Sequence, residues 1–272
     1  MTNLAKEFRE FEYNGWQQSV DQYNNSFGSL TNQMIQPLLN TVNPQTGTKI
    51  LDIATGPGYV AAGAAKLQSQ VIGLDFSSAM LNKAKQLNPD LEFIQGEAES
   101  LPFENQEFDA VVMNFGILHL AEPQKAINEA FRVLRHPGKF AFTVWDVFDK
   151  CIGMKLVYDA IKAYGNLEVA LPEGPPFSYF SEEQNSISAL KNAGFSHPLV
   201  SKFSLTWELT NADELFDAFY QGTPRTGGLL RNQTDANIAD IKDAIRQTSQ
   251  PYFDKNKLVL PMSALVASGT KL

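Results

Sequence analysis

Between residues 49 and 146, apolar runs alternate with stretches of helical periodicity, and this alternation constrains the fold more than any other feature of the chain. "KILDIA" (49–54), "QVIGLD" (70–75), "LEFIQG" (91–96), "FDAVVMNF" (108–115) and "KFAFTVWD" (139–146) read as strands. They are nearly continuous apolar runs, as strands buried on both faces must be. "YVAAGAAKL" (59–67), "SSAMLNKAKQL" (77–87) and "PQKAINEAFRVL" (123–134) read as helices between them. The first is made of small residues that can approach a sheet closely. Ser77 is placed to cap the second, and Pro123 opens the third, where Ile127, Phe131 and Leu134 recur at helical spacing. "HPG" (136–138) reads as a turn. The pattern predicts an α/β fold, a doubly wound and mostly parallel seven-stranded sheet with helical insertions. Ligands of such sheets sit beyond the carboxyl ends of the strands, where strand order reverses.

The flanks are less regular. Residues 1–40 carry Phe8, Phe11, Tyr13, Trp16, Tyr23 and Phe27 at spacings that suggest short helices forming a cap. "LEVALPEGPPFSYFS" (167–181) reads as an ordered loop, residues 182–195 as a helix ending at Gly194, and "VSKFSLTWEL" (200–209) as a strand. Residues 211–250 look helical apart from "QGTPRTGG" (221–228), and 257–269 contains the last strand. A length of 272 residues suits one domain spanning 1–272. An apolar fraction of 43% and a net charge of -8 describe a soluble globular protein whose main partner is not nucleic acid. A single cysteine, Cys151, fits a reducing compartment. Charges fill the N-terminal segment where a secretory signal would be apolar, and the apolar run 258–269 is too short to cross a bilayer. These features predict a cytoplasmic protein without a membrane span. Three dispersed histidines and one cysteine offer no metal-ligand spacing. Oligomeric state is left open.

The strand ends carry the chemistry. The first strand runs into Asp52-Ile53-Ala54-Thr55-Gly56-Pro57-Gly58. Gly56 and Gly58 have no Cβ, so a ligand can lie against the backbone. A dinucleotide turn wants a third glycine where this chain has Ala61, and Pro57 withholds one N–H donor. Such a turn suits a nucleoside without phosphates better than a diphosphate. Asp75 ends the second strand, nineteen residues after Gly56. A carboxylate there either accepts from both hydroxyls of a ribose or caps the next helix. Phe76 and Met80 either sandwich an adenine or belong to the core. Gly96-Glu97-Ala98-Glu99 follows the third strand, and Asn114 ends the fourth with His119 on the same rim. His119 is either a general base or a packing residue. His136 and His197 read as structural.

The runs "ILDIATGPGYVA", "VIGLDFSSAMLNKA", "EFIQGEAESLPFENQEFDAVVMNFGILHL" and "AINEAFRVLRHPGKFAFTVW" together resemble the class I S-adenosylmethionine-dependent methyltransferases. Within them the chain is most similar to the group related to the ubiquinone and menaquinone C-methyltransferases. The resemblance covers residues 49–146, the implied cofactor-binding core. It implies that Gly56 and Gly58 line the methionyl and ribose surface, and that Asp52 holds the turn and the ammonium end. It gives the ribose diol to Asp75, the adenine faces to Phe76 and Met80, and the adenine amino group to Glu97. The family commonly has Asp at this last position. The Ala98 N–H would meet a ring nitrogen, and Asn114 would face the methionyl end. The variable parts, 150–190 and 211–250, would form the acceptor pocket, with the N-terminal cap closing over the cofactor. Arg225 would orient an anionic acceptor or simply be solvated. Asn114-Phe115-Gly116-Ile117 lacks the prolines used by enzymes that methylate exocyclic amines of nucleic-acid bases. The implied activity is methyl transfer to a small-molecule acceptor. The alternatives are a cofactor-binding protein without turnover and, ranked lower, an NAD-dependent oxidoreductase.

Overall fold

The computed structural model describes residues 2–272. Four helices come first: α1 (Asn3–Gln18), α2 (Val20–Asn25), α3 (Phe27–Thr31) and α4 (Ile35–Val42). Thr2 caps α1 by accepting from the Ala5 N–H. The buried residues of α1 are Phe8, Glu12 and Trp16, spaced four apart on one face. The alternating core follows as β1 (Lys49–Ile53), α5 (Tyr59–Lys66), β2 (Gln70–Asp75), α6 (Ser78–Leu87), β3 (Glu92–Gln95), β4 (Phe108–Asn114), α7 (Pro123–Val133) and β5 (Leu134–Trp145). The remainder is α8 (Ile152–Tyr164), α9 (Glu183–Asn192), β6 (Ser196–Leu209), α10 (Ala212–Gly222), α11 (Arg225–Arg231), α12 (Asp235–Thr248), β7 (Phe253–Asp254) and β8 (Lys257–Lys271).

The sheet has the order β3-β2-β1-β4-β5-β8-β6, with β7 paired on β8. β1 to β5 are mutually parallel, and β8 lies antiparallel to both β5 and β6. The count is therefore eight rather than seven, because the two-residue β7 folds back on the start of β8. Ile50, Leu51 and Ile53 of β1 and Val111, Val112 and Met113 of β4 are fully buried between the two helical layers. Strand order reverses between β1 and β4. There the Ala54 Cβ lies 2.5 Å from where a Cβ on Gly116 would sit, so only glycine lets the two strand ends close up.

Two local expectations are refined. The turn at 136–138 lies inside β5, which starts at Leu134 directly after α7: the register against β4 jumps from Leu134 to Lys139, so the residues between bulge out of that ladder. Gly138 pairs with Lys271 of β8, and the buried Lys271 ammonium donates to the carbonyls of Phe131 and Leu134 at 2.7 Å each. The interruption expected at 221–228 narrows to 223–224, between the end of α10 and the start of α11. Gly227 and Gly228 are there for close packing. A Cβ on Gly227 would lie 2.8 Å from the carbonyl oxygens of Phe219 and Tyr220, and one on Gly228 would lie 3.1 Å from the Phe11 ring.

Candidate functional site

A cavity opens beyond the carboxyl ends of β1, β2, β3 and β4, with about 1400 Å³ of empty space, mouth included. Its wall includes Asp52, Gly56, Asp75, Phe76, Met80, Glu97, Ala98, Asn114 and His119, so four separate strand ends bring these residues together. Gly58 is not on the wall. It starts α5 at φ +82°, and a Cβ there would lie 2.8 Å from the Phe93 ring. Gly58 therefore shapes the turn from behind. Gly56, at φ +53°, has nothing within 4 Å of the place a Cβ would take.

The carboxylates differ in their engagement. Asp52 Oδ2 accepts from Thr55 Oγ1 at 2.6 Å and from the Ala61 N–H at 3.1 Å, which ties β1 to α5. Its Oδ1 is buried without a partner. Burial pushes the Asp52 carboxyl up to about 7, against the opposing pull of Thr55. Asp75 Oδ2 accepts from the Gly56 N–H and Oδ1 from the Ser77 N–H, both at 2.9 Å. Each oxygen keeps a further lone pair. Burial raises the Asp75 carboxyl to about 6. Ser77 caps α6 through the Met80 N–H, so the helix does not depend on Asp75 alone. Glu97 Oε1 is held by Arg9 of α1, and Oε2 remains unengaged. The Ala98 N–H makes no protein hydrogen bond among the described residues. The Asn114 side chain acts as a brace, accepting from Thr143 Oγ1 at 2.7 Å and donating to the Thr31 carbonyl at 3.3 Å. Its main chain is what remains to face a ligand.

The other half of the cavity is aromatic. Trp16, Tyr23, Phe27, Phe115, Trp145, Tyr158, Phe177 and Phe219 contribute to the wall. They come from α1, α2, α3, the end of β4, β5, α8, the 167–181 loop and α10. Phe115 and Trp145 stack with ring centroids 4.1 Å apart. Ala54 and Phe115, at φ +54° and +55°, hold left-handed conformations at the strand ends between the two halves. Such strain persists where the surrounding structure enforces it. α1 forms part of the cover: Gln17 accepts from Ser77 Oγ and the Ala79 N–H at 2.8 Å each, pinning the helix to the start of α6.

The sequence profile of a family described as "Methyltransferase domain" matches residues 51–142. A demethylmenaquinone methyltransferase from Chlorobaculum tepidum is 31% identical over 177 residues, 59% of this chain and 69% of its own length. The enzyme of the same name from Renibacterium salmoninarum is 39% identical over 102 residues, covering 38% of this chain and 43% of the relative. The chain thus spans about two-fifths of the first curated relatives it matches. A solved S-adenosylmethionine-dependent methyltransferase from Thermotoga maritima shares the fold, with a TM-score of 0.58 at 17% identity over 96% of this chain and all of that one. The chain belongs to the class I S-adenosylmethionine-dependent methyltransferases. It falls in the group related to the ubiquinone and menaquinone C-methyltransferases.

The residues present fit that family's cofactor. Asp52 Oδ1 is a buried acceptor without a donor, Gly56 leaves open backbone, and Asp75 keeps spare lone pairs for a diol. Phe76 and Met80 add apolar faces, and Ala98 an N–H. At Glu97 the fit is tighter than the sequence implies, because Arg9 holds one carboxylate oxygen. Two charged residues of this methyltransferase escaped the sequence reading of their roles. Glu12 is fully buried, and the available signal was its place between Phe8 and Trp16 on one apolar helical stripe. Arg225 is not simply solvated: it stands on the cavity wall and is partly engaged by protein groups. Its guanidinium lies 5.0 Å from the Phe8 ring centroid, donates to the Pro175 carbonyl at 2.9 Å, and approaches Glu12 Oε1 at 3.9 Å.

Proposed function

We propose that this methyltransferase transfers a methyl group to a small, flat, largely apolar acceptor with a ring hydroxyl, of the quinol or phenol type. The observation that carries this reading is the division of the cavity into a rim of carboxylates and open backbone, and a box of aromatic side chains. The names of the relatives, demethylmenaquinone methyltransferases, point to a quinone-derived ring. A quinone itself is electron-poor, so the reduced quinol is the form able to attack. The insertions 150–190 and 211–250 supply Met154, Tyr158, Phe177, Phe219 and Thr223 to the wall, which supports their role as the acceptor pocket.

S-adenosylmethionine, when bound, supplies a methyl group already activated by a positively charged sulfur. The chain's own residues then bind, orient and exclude water. Asp75 would take the ribose diol, Asp52 Oδ1 the ammonium group, Glu97 Oε2 and the Ala98 N–H the adenine edge, and Phe76 and Met80 its faces. The aromatic box would hold an acceptor ring in line with the methyl group, where positioning does most of the work. Closure by α1 would keep water away from that line. Arg225 is partly engaged by Glu12 and Pro175, which argues for an uncharged acceptor over an anionic one.

The test is calorimetry with S-adenosylhomocysteine and NAD side by side, followed by turnover with a short-chain demethylmenaquinol under reducing conditions. Binding of the first ligand alone, with a product heavier by one methyl group, is expected. Binding without turnover on demethylmenaquinol or a panel of phenols would favour a cofactor-binding protein that has lost activity.

A further inference from the structure

We propose that Glu12 and His119 work as one proton-accepting unit, with His119 as the catalytic base and Glu12, delivered by α1, as the residue that positions it. The proposal rests on the methyl-transfer reading above. Glu12 Oε2 lies 3.0 Å from His119 Nδ1. Glu12 is fully buried, whereas His119 keeps about a fifth of its side chain exposed and lies on the cavity wall. Glu12 is itself absent from that wall, so it acts only through its neighbour. The dyad places the shared hydrogen on Nδ1, with the Glu12 oxygen accepting it, and leaves the lone pair on Nε2. Nε2 makes no protein hydrogen bond among the described residues, which leaves it for a ligand. Trp16 packs edge-on to the imidazole with centroids 4.8 Å apart and restrains its tilt. Glu12 Oε1 has no hydrogen bond, and Arg225 Nε at 3.9 Å is the cation that offsets its buried charge.

The chemistry balances. The acceptor's electron pair forms the new bond to the methyl carbon, and the pair of the broken carbon–sulfur bond stays on sulfur. The acceptor's proton goes to His119 Nε2 and from there to water. Glu12 stabilises the imidazolium that forms without taking the proton itself. Because Arg9 and Glu12 lie three residues apart on α1, the seating that brings Arg9 to Glu97 on the cofactor rim also brings Glu12 to His119. The base is therefore complete only when α1 covers the site.

The first test needs no acceptor. Long-range proton–nitrogen spectra of the full chain with ¹⁵N-labelled histidine, saturated with S-adenosylhomocysteine, should show His119, assigned by its loss in His119→Ala, as the Nδ1–H form beside His136, whose Nδ1 lies 2.8 Å from the Leu272 oxygen and takes the same form; Glu12→Gln should abolish the His119 signature alone. His119 as the Nε2–H form in the wild type overturns the proposal. The second test is kinetic, with short-chain demethylmenaquinol. His119→Ala should lower kcat by about 100-fold or more, with partial rescue by added imidazole. Glu12→Gln should lower kcat by about tenfold or more with KM within about threefold, and Glu12→Asp should recover part of the loss. Full activity in folded His119→Ala refutes the dyad and leaves the methyltransferase reading standing. A wild type that binds S-adenosylhomocysteine yet leaves demethylmenaquinol unmethylated counts against the acceptor reading, and the tautomer still decides the dyad.

Discussion

The two halves of the cavity are built in different ways. The polar rim, the proposed cofactor side, comes from a contiguous stretch, residues 52–119, in which most groups stand at the end of a strand or just beyond it. Its groups are carboxylates, glycines and main-chain amides, held by bonds between neighbouring strand ends such as Gly56 N–H to Asp75, with Arg9 reaching Glu97 from α1. The aromatic half, the proposed acceptor side, is gathered from elements as far apart as α1 and α11, and its groups are aromatic rings with Arg225 beside them, backed by Glu12. A rim made from the backbone of a sheet has its geometry fixed by the ladder. A box of side chains on inserted helices can change its lining without disturbing the sheet. Under the proposed assignment, one fold keeps a cofactor and varies an acceptor in this way.

The sharpest way to break this contrast is inside the glycine turn. Gly58→Ala should destabilise the protein by about 2–4 kcal/mol, through a strained positive φ and a clash with Phe93. The folded fraction should still bind S-adenosylhomocysteine normally. Gly56→Ala should do the reverse, costing about 1 kcal/mol of stability while weakening the ligand by about tenfold, because its Cβ would project into open cavity. Urea melts and calorimetry on the pair separate the two roles. Equal affinity losses would mean that both glycines face the ligand.

Next in size is Asp75. Asp75→Ala should weaken S-adenosylhomocysteine by about 1.5–3 kcal/mol, or roughly 10- to 150-fold. Ser77 still caps α6 in that variant, so the far-UV spectrum should be unchanged. Unaltered affinity would reduce Asp75 to a brace for the turn.

The buried carboxyls also set a pH dependence. Asp52 and Asp75 titrate near 7 and 6 when folded, above the model-peptide value of 3.8. The native state therefore holds more protons than the unfolded chain between about pH 4 and 7, and ligand-free stability falls as pH rises through that window. Asp75→Asn should flatten the slope. Ligand affinity should run the other way and strengthen with pH, because the ionised oxygens are the better acceptors. Parallel slopes in wild type and Asp75→Asn would remove the carboxyl explanation.

The smallest effect belongs to the contact between the halves. Arg9 and Glu97 are each about one-third exposed, so Arg9→Ala should change stability by less than about 1 kcal/mol and affinity by less than about threefold. A tenfold loss of affinity would show that α1 belongs to the cofactor rim rather than to the cover.

Alternating apolar runs between 49 and 146 dictate a parallel sheet, because strands buried on both faces admit few polar residues and the crossovers must be helices. With the sheet come the strand ends, and with the strand ends come Asp52, Gly56, Asp75, Glu97 and Asn114 on one rim. These relations are short in sequence or follow from a regular ladder, so the residues themselves carry them. The tertiary structure decided what depends on distant partners. It moved Gly58 behind the turn because Phe93 stands there, and joined the 136–138 turn to the sheet by pairing Gly138 with Lys271 of β8. It folded 225–231 into a helix and turned Arg225 inward to Glu12. It also set Glu12 against His119 across 107 residues of chain. A buried carboxylate and an imidazole gain their meaning only from being in contact, and no local pattern in either segment encodes that contact.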